Sequence, residues 1–256
     1  MHPILFKIGP LIFYTYGFAL AVAFVAATLL LYNTAKTEGL DTAKLADLGF
    51  YGILSGIIGS RIMYVLINPS EFIASPLKIF MLWEGGLVFY GGIIGGILAT
   101  VFFLKKYGLP FWKTMDVLAP PLVLAQAIGR LGCFMSGCCY GKPTDLPWAV
   151  TFNNPCTIAM RGVPLHPTQL YHSIANLIIF FILYFYVRKR KQFNGQVLSL
   201  YFCMYSMARF FLEFFRGDLK IHLIGPLNLT QGFSIVIFLI GIYLYLRLRT
   251  SYRIEA

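Results

Sequence analysis

Residues 117–141 read VLAPPLVLAQAIGRLGCFMSGCCYG. They form an apolar run of membrane-spanning length with one arginine, Arg130, followed by a segment rich in glycine, cysteine and serine. Arginine cannot shed its charge, and placing it in hydrocarbon costs at least ~2.5–3.5 kcal/mol on insertion scales. Such a residue needs the interior of a helix bundle and an anionic partner. The stretch therefore predicts a membrane helix that carries a functional charge.

The composition of the whole chain is that of an integral membrane protein. Of its 256 residues 58% are hydrophobic and 12% are charged, and the mean hydropathy is +0.73, which is outside the range of water-soluble domains. Apolar runs of about 20 residues predict an all-α protein, a single transmembrane domain over residues 1–256, with seven membrane-spanning helices. The predicted spans are Leu11–Tyr32, Leu45–Ile67, Gly86–Leu104, Val117–Met135, Tyr171–Val187, Val197–Phe215 and Gly232–Leu246.

The distribution of Lys and Arg among the loops predicts the orientation. Twelve lie in loops one, three and five and in the C-terminal tail, and six lie on the opposite side. The positive-inside rule therefore places the N-terminus in the periplasm and the C-terminus in the cytoplasm. The net charge of +11 reflects this topology and an attraction to anionic lipid headgroups. Nucleic-acid binding is a poor interpretation, because no basic stripe with interleaved aromatic residues lies on a soluble domain.

Five polar side chains from five predicted spans fall at one depth. Arg130 lies about six residues, or roughly 9 Å, from the outer end of its span. The helices alternate in direction, and the other four side chains lie at similar distances from the outer ends of their own spans. All five are therefore predicted to lie at one level in the outer leaflet. The five residues are Tyr16, Arg61, Tyr90, Arg130 and Arg209.

Helical spacing predicts partners for some of these side chains. Tyr205, Arg209 and Glu213 are four residues apart and share one helix face, so Glu213 can neutralise Arg209. Such a pair is by itself weak support for a functional site, since it also lets a charged helix insert. Arg130 has no carboxylate at helical spacing, which favours a functional role. Arg61 lies in a surface of glycines and serines, where a structural role is equally open.

Small residues in the second and third spans predict close helix contacts. Spacings of four between small residues let two backbones approach each other, and they most often mark a helix contact. The residues concerned are Gly52, Ser55, Gly56, Gly59 and Ser60 in the second span, and Gly91, Gly92, Gly95 and Gly96 in the third.

The segment of residues 136–170 is polar, contains five prolines and is too long for a simple turn. We expect an irregular periplasmic lid or partner-binding arm above the polar level. His166 near its end is predicted to be a capping or structural residue, although a role as a base stays open.

The five cysteines are Cys133, Cys138, Cys139, Cys156 and Cys203. A zinc site made from the first four and His166 is disfavoured because paired CxxC spacing is absent, so no metal is expected. A disulfide from Cys138 or Cys139 to Cys156 is compatible with an oxidising exterior. Tight packing of small side chains is the favoured interpretation.

Five segments carry a resemblance to a known family: Tyr16-Gly17, residues 89–92, residues 129–141, residues 166–171 and residues 205–216. Their residues and their order along nearly the whole chain resemble those of the bacterial prolipoprotein diacylglyceryl transferase family, whose signature is the arginine–glycine segment. The resemblance implies a multi-pass enzyme of the bacterial inner membrane with its active site facing the outer leaflet and periplasm. Its substrates would be phosphatidylglycerol and prolipoprotein signal peptides with a lipobox cysteine. It would move the diacylglyceryl group to the cysteine thiol, release glycerol phosphate and need no cofactor.

Matching motif positions imply the roles of individual residues. Arg130 would hold the lipid phosphate and Arg209 would assist it. The candidate catalytic residues are Arg130, Arg209, Tyr90, Glu213, Tyr16 and Tyr205. The candidate substrate-binding residues are Arg130, Arg209, Arg61, Gly141, Cys133, His166 and Gln169.

Three positions, Tyr90, Cys133 and Cys138, depart from the family pattern, in which histidine, asparagine and glutamate are frequent. Tyrosine is a poor base unless its pKa is lowered, so the general base stays open. The candidates are Tyr90 activated by Arg61 or another cation, His166, Glu213, or thiolate stabilisation by the arginines alone. Two alternatives to the enzyme are a catalytically altered member that binds lipid or signal peptide, and an anion transporter. The transporter is disfavoured because the polar residues cluster at one level and form no path.

Overall fold

The computed structural model describes residues 2–9, 11–81, 85–218, 222–224 and 227–255. Within these ranges the chain forms eight α-helices and three two-stranded antiparallel β-pairs. The helices are α1 Thr15–Thr37, α2 Thr42–Ile67, α3 Pro69–Ala74, α4 Phe89–Lys106, α5 Phe111–Ser136, α6 Thr168–Phe181, α7 Gln196–Leu212 and α8 Leu229–Glu255. The strands are β1 Ile4–Ile8, β2 Leu11–Tyr14, β3 Val150–Thr151, β4 Pro164–Leu165, β5 His222–Ile224 and β6 Leu227–Asn228.

Six of the described helices are long and apolar enough to cross a membrane. They are α1, α2, α5, α6 with its continuation to Arg190, α7 with its last turn to Phe215, and α8. The chain is therefore a helical, multi-pass membrane protein. The predicted third span, Gly86–Leu104, corresponds to α4, an 18-residue helix that is not among the six. A total of seven spans and the orientation stay predictions.

The prediction that Leu11–Tyr14 opens the first membrane helix is wrong. These four residues form β2, which pairs with β1 in a hairpin with Ile8 opposite Leu11 and Lys7 opposite Ile12. Leucine, isoleucine, phenylalanine and tyrosine suit a strand as well as a membrane helix, so apolar character alone could not separate the two. Helix α1 begins only at Thr15.

The chain divides into two compact units, one of residues 1–30 and 115–256 and the other of residues 31–114. In the second unit, α2 and α4 pack through glycines. A Cβ atom on Gly59 would clash with the carbonyl oxygen of Gly91, and one on Gly91 would clash with the carbonyl oxygen of Gly59. The predicted close contact of small residues is confirmed, and it pairs the second span with the third.

The first unit has its apolar core between α5, α6 and α7. The buried residues of this core are Ala119, Val123, Ile179, Phe180, Leu183, Val187, Val197 and Tyr201. A buried carboxylate also joins two of these helices, because Asp116 in α5 accepts hydrogen bonds from the backbone N–H groups of Gly195 at 2.8 Å and Leu198 at 3.0 Å. It thereby satisfies donors that a helix N-terminus leaves without partners.

Residues 136–170 are folded onto a small core of their own. Phe152, Ala159 and Leu165 are buried together, and β3 pairs with β4. The segment is thus compact in itself, although it contains little regular secondary structure. Its role as a lid stays a prediction, as does the single domain over residues 1–256.

Candidate active site

Arg130 lies near the end of α5 and makes no hydrogen bond or ion pair with any residue that the structure describes. Its charge acts on that of Arg209 in α7, and so does the charge of Arg216 just beyond α7. All three guanidinium groups also act electrostatically on His172 of α6. The structure therefore gathers three arginines of the first unit around one histidine.

Glu213 is the acid that holds two of these arginines. Its Oε2 atom lies 3.2 Å from Nη2 of Arg209 and 3.7 Å from Nη1 of Arg216. Its Oε1 atom accepts a hydrogen bond of 3.1 Å from Nδ2 of Asn228, and only 4% of the residue is exposed. The predicted pairing of Glu213 with Arg209 is confirmed, with a second arginine added to it.

Arg216 has a carboxylate partner of its own. Its Nε atom donates to Oδ1 of Asp218 at 2.8 Å, and its Nη2 atom donates to Oδ2 of the same residue. Two-pronged pairs of this kind are the strong form of the arginine–carboxylate contact. Three cations thus face two carboxylates among the described residues, and the uncompensated positive charge belongs to Arg130.

His172 fixes the position of Arg209 from a neighbouring helix. Its Nε2 atom lies 3.0 Å from Nη1 of Arg209, and 3% of the residue is exposed. A guanidinium can only donate, so Nε2 must accept and the imidazole is neutral with its proton on Nδ1. Nε2 is the only basic nitrogen of this neutral imidazole, and it is already occupied by Arg209. His172 is therefore a positioning residue for Arg209.

Asn228 connects the ion pairs to the start of α8. Its Oδ1 atom accepts a hydrogen bond of 2.9 Å from the Gln231 backbone, and Oε1 of Gln231 accepts one of 3.1 Å from the Asn228 backbone. This reciprocal pair is a capping box. The same Asn228 side chain therefore serves both the helix end and Glu213.

His166 belongs to a different set of contacts. Its Nδ1 atom lies 3.2 Å from the Tyr171 hydroxyl, which accepts a hydrogen bond of 2.7 Å from Nε1 of Trp148. Its ring packs against Phe215 at a centroid distance of 5.3 Å. Its Nε2 atom has no partner among the described residues. Both of the roles considered for His166, structural and basic, are therefore compatible with its surroundings.

Gly141 lies where three backbone segments cross. Its N–H donates to the carbonyl of His166 at 3.0 Å, and it forms an isolated β-bridge with Arg216. A Cβ atom here would lie 2.5 Å from that carbonyl oxygen and 2.9 Å from the carbonyl oxygen of Phe215. Only glycine permits this approach, so Gly141 contributes by holding the backbone of Arg216 in place.

Gln169, Tyr205 and Tyr16 have different surroundings in the first unit. Gln169 is fully buried and donates from Nε2 to the carbonyl of Cys138 at 2.7 Å. Tyr205 stacks on Tyr201 with a centroid distance of 5.6 Å and acts electrostatically on Arg209. Tyr16 is the second residue of α1 and packs against α5. A Cβ atom added to Gly132 of α5 would lie 3.2 Å from the Tyr16 ring.

Cys133 belongs to a cluster of three thiols. The Sγ atoms of Cys133, Cys138 and Cys139 all lie within 4.8 Å of one another. Cys156 is exposed and outside this group, and all five cysteines are free, so the disulfide to Cys156 that the sequence left open is not present. Of the residues that the structure describes, these three are the group that could hold a metal ion.

Arg61 lies in the second unit and uses its guanidinium to bind backbone. Nε donates to Ile79 at 2.9 Å, and the two other nitrogens donate to four further carbonyls. Those carbonyls belong to Gly85, Gly86, Lys78 and Met81. All five N–H groups of an arginine are then in use. The side chain is buried, at 7% exposure, with its guanidinium surrounded by these carbonyls. This arrangement fits the structural alternative for Arg61, and its role in substrate binding stays a prediction.

Tyr90 also belongs to the second unit, in the first turn of α4, and 49% of it is exposed. Its place at the level of Arg130 stays a prediction.

Comparison with known proteins settles the family. The model of one family, described as prolipoprotein diacylglyceryl transferase, matches residues 3–247. The chain belongs to this family. A phosphatidylglycerol–prolipoprotein diacylglyceryl transferase of Clostridium tetani is 37% identical over 245 residues, which cover 96% of this chain and 97% of that protein. The transferase of the same name from Legionella pneumophila is 36% identical over 252 residues and 96% of each chain.

The arginine cluster contains partners that the sequence did not reveal. His172 and Asn228 hold Arg209 and Glu213, but they lie 37 and 15 residues away along the chain. Neither shares a helix with its partner, so helical spacing carries no signal for them. The only hint was that His172 directly follows the recognised segment of residues 166–171.

Proposed function

We propose that Arg130 binds the phosphate of phosphatidylglycerol while this chain transfers the diacylglyceryl group of the lipid to a prolipoprotein. The observation that carries the proposal is the uncompensated charge of Arg130 next to two arginines whose charges are balanced. A phosphodiester carries one negative charge, so one lipid headgroup would complete the balance. Unpaired charge inside a membrane helix is otherwise costly.

The relatives support the same substrates. Their names specify phosphatidylglycerol as donor and prolipoprotein as acceptor, and they match nearly the whole chain. The match of the family model over residues 3–247 and the names of the relatives favour the transferase over a transporter or a catalytically altered family member. A lipobox cysteine as the acceptor, and a site facing the periplasm from the bacterial inner membrane, complete the proposal.

The arrangement suits a displacement at the lipid glycerol. The acceptor thiol loses its proton and forms a sulfur–carbon bond to C3 of the diacylglycerol. The bond from C3 to the phosphate oxygen breaks, and its electron pair leaves with glycerol phosphate. Negative charge grows on the departing phosphate, where fixed cations in a low-dielectric site stabilise it most. Arg130 would meet this charge directly, and Arg209 would assist from the position that His172 and Glu213 give it.

His166 is favoured over Glu213 as the base that takes the thiol proton. Both oxygens of Glu213 are engaged, by Arg209, Arg216 and Asn228. His166 keeps its Nε2 atom available among the described residues, with Tyr171 orienting the ring. Tyr90 keeps its place as a further candidate. The base is secondary in this proposal, because most of the rate is assigned to charge stabilisation.

The test is transfer from labelled phosphatidylglycerol to a lipobox peptide in reconstituted vesicles. Arg130→Gln should lower the rate by about 10³-fold or more, since it removes a charge that acts on the transition state. Tyr90→Phe should retain measurable transfer. Arg247→Gln is the matched control, because Arg247 is exposed near the C-terminal end of α8 and its side-chain contact is with Tyr243. Near-normal transfer by Arg130→Gln would contradict the proposal.

A further inference from the structure

The cluster of three thiols in the first unit has the dimensions of a metal site. Cys133, Cys138 and Cys139 bring their Sγ atoms within 4.8 Å of one another. Zinc–thiolate bonds of about 2.3 Å in tetrahedral geometry separate the sulfurs by about 3.8 Å. Small side-chain adjustments would therefore complete the coordination. Cys133 lies in the last turn of α5, three residues after Arg130, and Cys138 and Cys139 follow the end of the helix. The transfer step proposed above assigns no bond-making or proton-transfer role to these thiols.

The end of α5 produces this cluster through its backbone. The N–H of Gly137 donates to the carbonyl of Phe134 at 3.2 Å, and the N–H of Cys138 donates to the carbonyl of Cys133 at 3.1 Å. These two bonds define a Schellman motif, which normally brings two apolar side chains together beyond a helix end. Here the two side chains that meet are Cys133 and Cys138.

Cys139 joins the pair through an uncommon conformation. Its φ angle is +58°, and it is the non-glycine residue with positive φ among those that the structure describes. Such conformations are disfavoured for side-chain-bearing residues and occur often at ligand sites. The conformation brings a third sulfur to the two that the Schellman motif places.

Helix α6 holds the loop from the other side. Thr168 donates from Oγ1 to the carbonyl of Cys139, and Gln169 donates from Nε2 to the carbonyl of Cys138, each at 2.7 Å. Both donors are fully buried. The backbone of two of the three cysteines is therefore fixed by contacts that do not involve their thiols, as in sites whose ligands are oriented by a second layer of hydrogen bonds.

Two arginines act electrostatically on the cluster, because the charges of Arg216 and Arg130 both reach Cys139. Metal ions bind the deprotonated form of cysteine, and nearby positive charge favours that form.

We propose that Cys133, Cys138 and Cys139 form a trithiolate site for a thiophilic divalent cation of the zinc class. This revises the sequence-based expectation of no metal, which depended on the absence of paired CxxC spacing. Three protein ligands leave the fourth tetrahedral position open to water or another donor. A disulfide would use only two of the three converging sulfurs, which is why a metal ion is favoured over oxidation.

The experiment measures metal on the purified full-length protein in detergent. Reduced, metal-free protein is equilibrated with Zn²⁺, passed through a desalting column with a weak chelator, and analysed by elemental mass spectrometry. We expect about one zinc ion per chain, falling to near zero in Cys138→Ser, because loss of one thiolate removes much of the binding free energy. Substitution of Co²⁺ should give an intense thiolate-to-cobalt absorption band.

Cys156→Ser is the matched control, since Cys156 is exposed and outside the cluster. It should retain the zinc of the wild type. The melting temperature of each metal-free variant shows that a loss of zinc does not come from unfolding. Failure of the wild type to retain zinc, equal retention by Cys138→Ser, or a disulfide between any two of the three cysteines in protein isolated from membranes would each overturn the proposal.

Discussion

At the scale of single residues, three arginines at similar depths in their predicted spans have different partners. Each interrupts an apolar span, yet Arg61 donates to five backbone carbonyls, Arg209 contacts Glu213 and His172, and Arg130 has no partner among the described residues. The membrane requires every such charge to be satisfied. Arg130, whose charge is unsatisfied by the part of the chain that the structure describes, is thus the one most suited to a ligand.

His172 offers a test of how Arg209 is positioned. His172→Phe removes the acceptor for Arg209, and a displacement of about 1 Å near the reacting atoms can lower the rate by about 10²-fold. We expect a fall of that order in kcat for diacylglyceryl transfer, with a smaller change in KM. His172→Gln offers a side-chain carbonyl to Arg209 and should restore part of the rate. If the phenylalanine variant folds normally and transfers at the wild-type rate, His172 has no positioning role.

The sequence predicted the ion pair between Arg209 and Glu213 and missed the hydrogen bonds that His172 and Asn228 make to it. Arg209 and Glu213 are four residues apart in one helical stretch, so helix geometry alone brings them together. Asn228 and His172 reach the same network from other elements, and their positions depend on tertiary packing. The thiol cluster was missed because a helix-ending turn creates it, and ligand spacing rules do not describe such a turn.

At the scale of elements, the spans were predicted better than their ends. The apolar core of each membrane helix follows from composition, but α5 begins at Phe111, six residues before the predicted start, although it includes Pro120 and Pro121. Helix ends depend on caps and local bonds rather than on apolar length. The glycine spacing predicted a helix contact, while the identity of the partner helix became clear only in the structure.

The contact between α2 and α4 supports a prediction about packing. Gly59→Ala should destabilise the protein by about 1–3 kcal/mol, because its methyl group would press on the Gly91 backbone. Gly52→Ala is the matched control in the same helix, since a Cβ atom there meets nothing within 4 Å. Unfolding in mixed micelles measures both. Equal stability of the two variants would argue against tight packing at Gly59.

At the scale of the whole molecule, the orientation stays a prediction from the distribution of positive loop residues. The exposed Cys156 lies in the segment of residues 136–170, which we expect in the periplasm. A membrane-impermeant maleimide should therefore label Cys156 in intact spheroplasts, with the modified residue identified by peptide mapping. A cysteine introduced at exposed Ser251, in the C-terminal part of α8, should react only after the membrane is opened. The reverse pattern would invert the topology.

Asn228 links two parts of the molecule that could have been independent. Its side chain caps the first turn of α8 and at the same time donates to the acid between Arg209 and Arg216. Fraying of that single turn would release Glu213 and unbalance the arginines while the rest of the helix stayed intact. Mild heat or harsh detergent is thus expected to inactivate the enzyme before it unfolds, leaving a protein that keeps its helix content but no longer transfers the diacylglyceryl group.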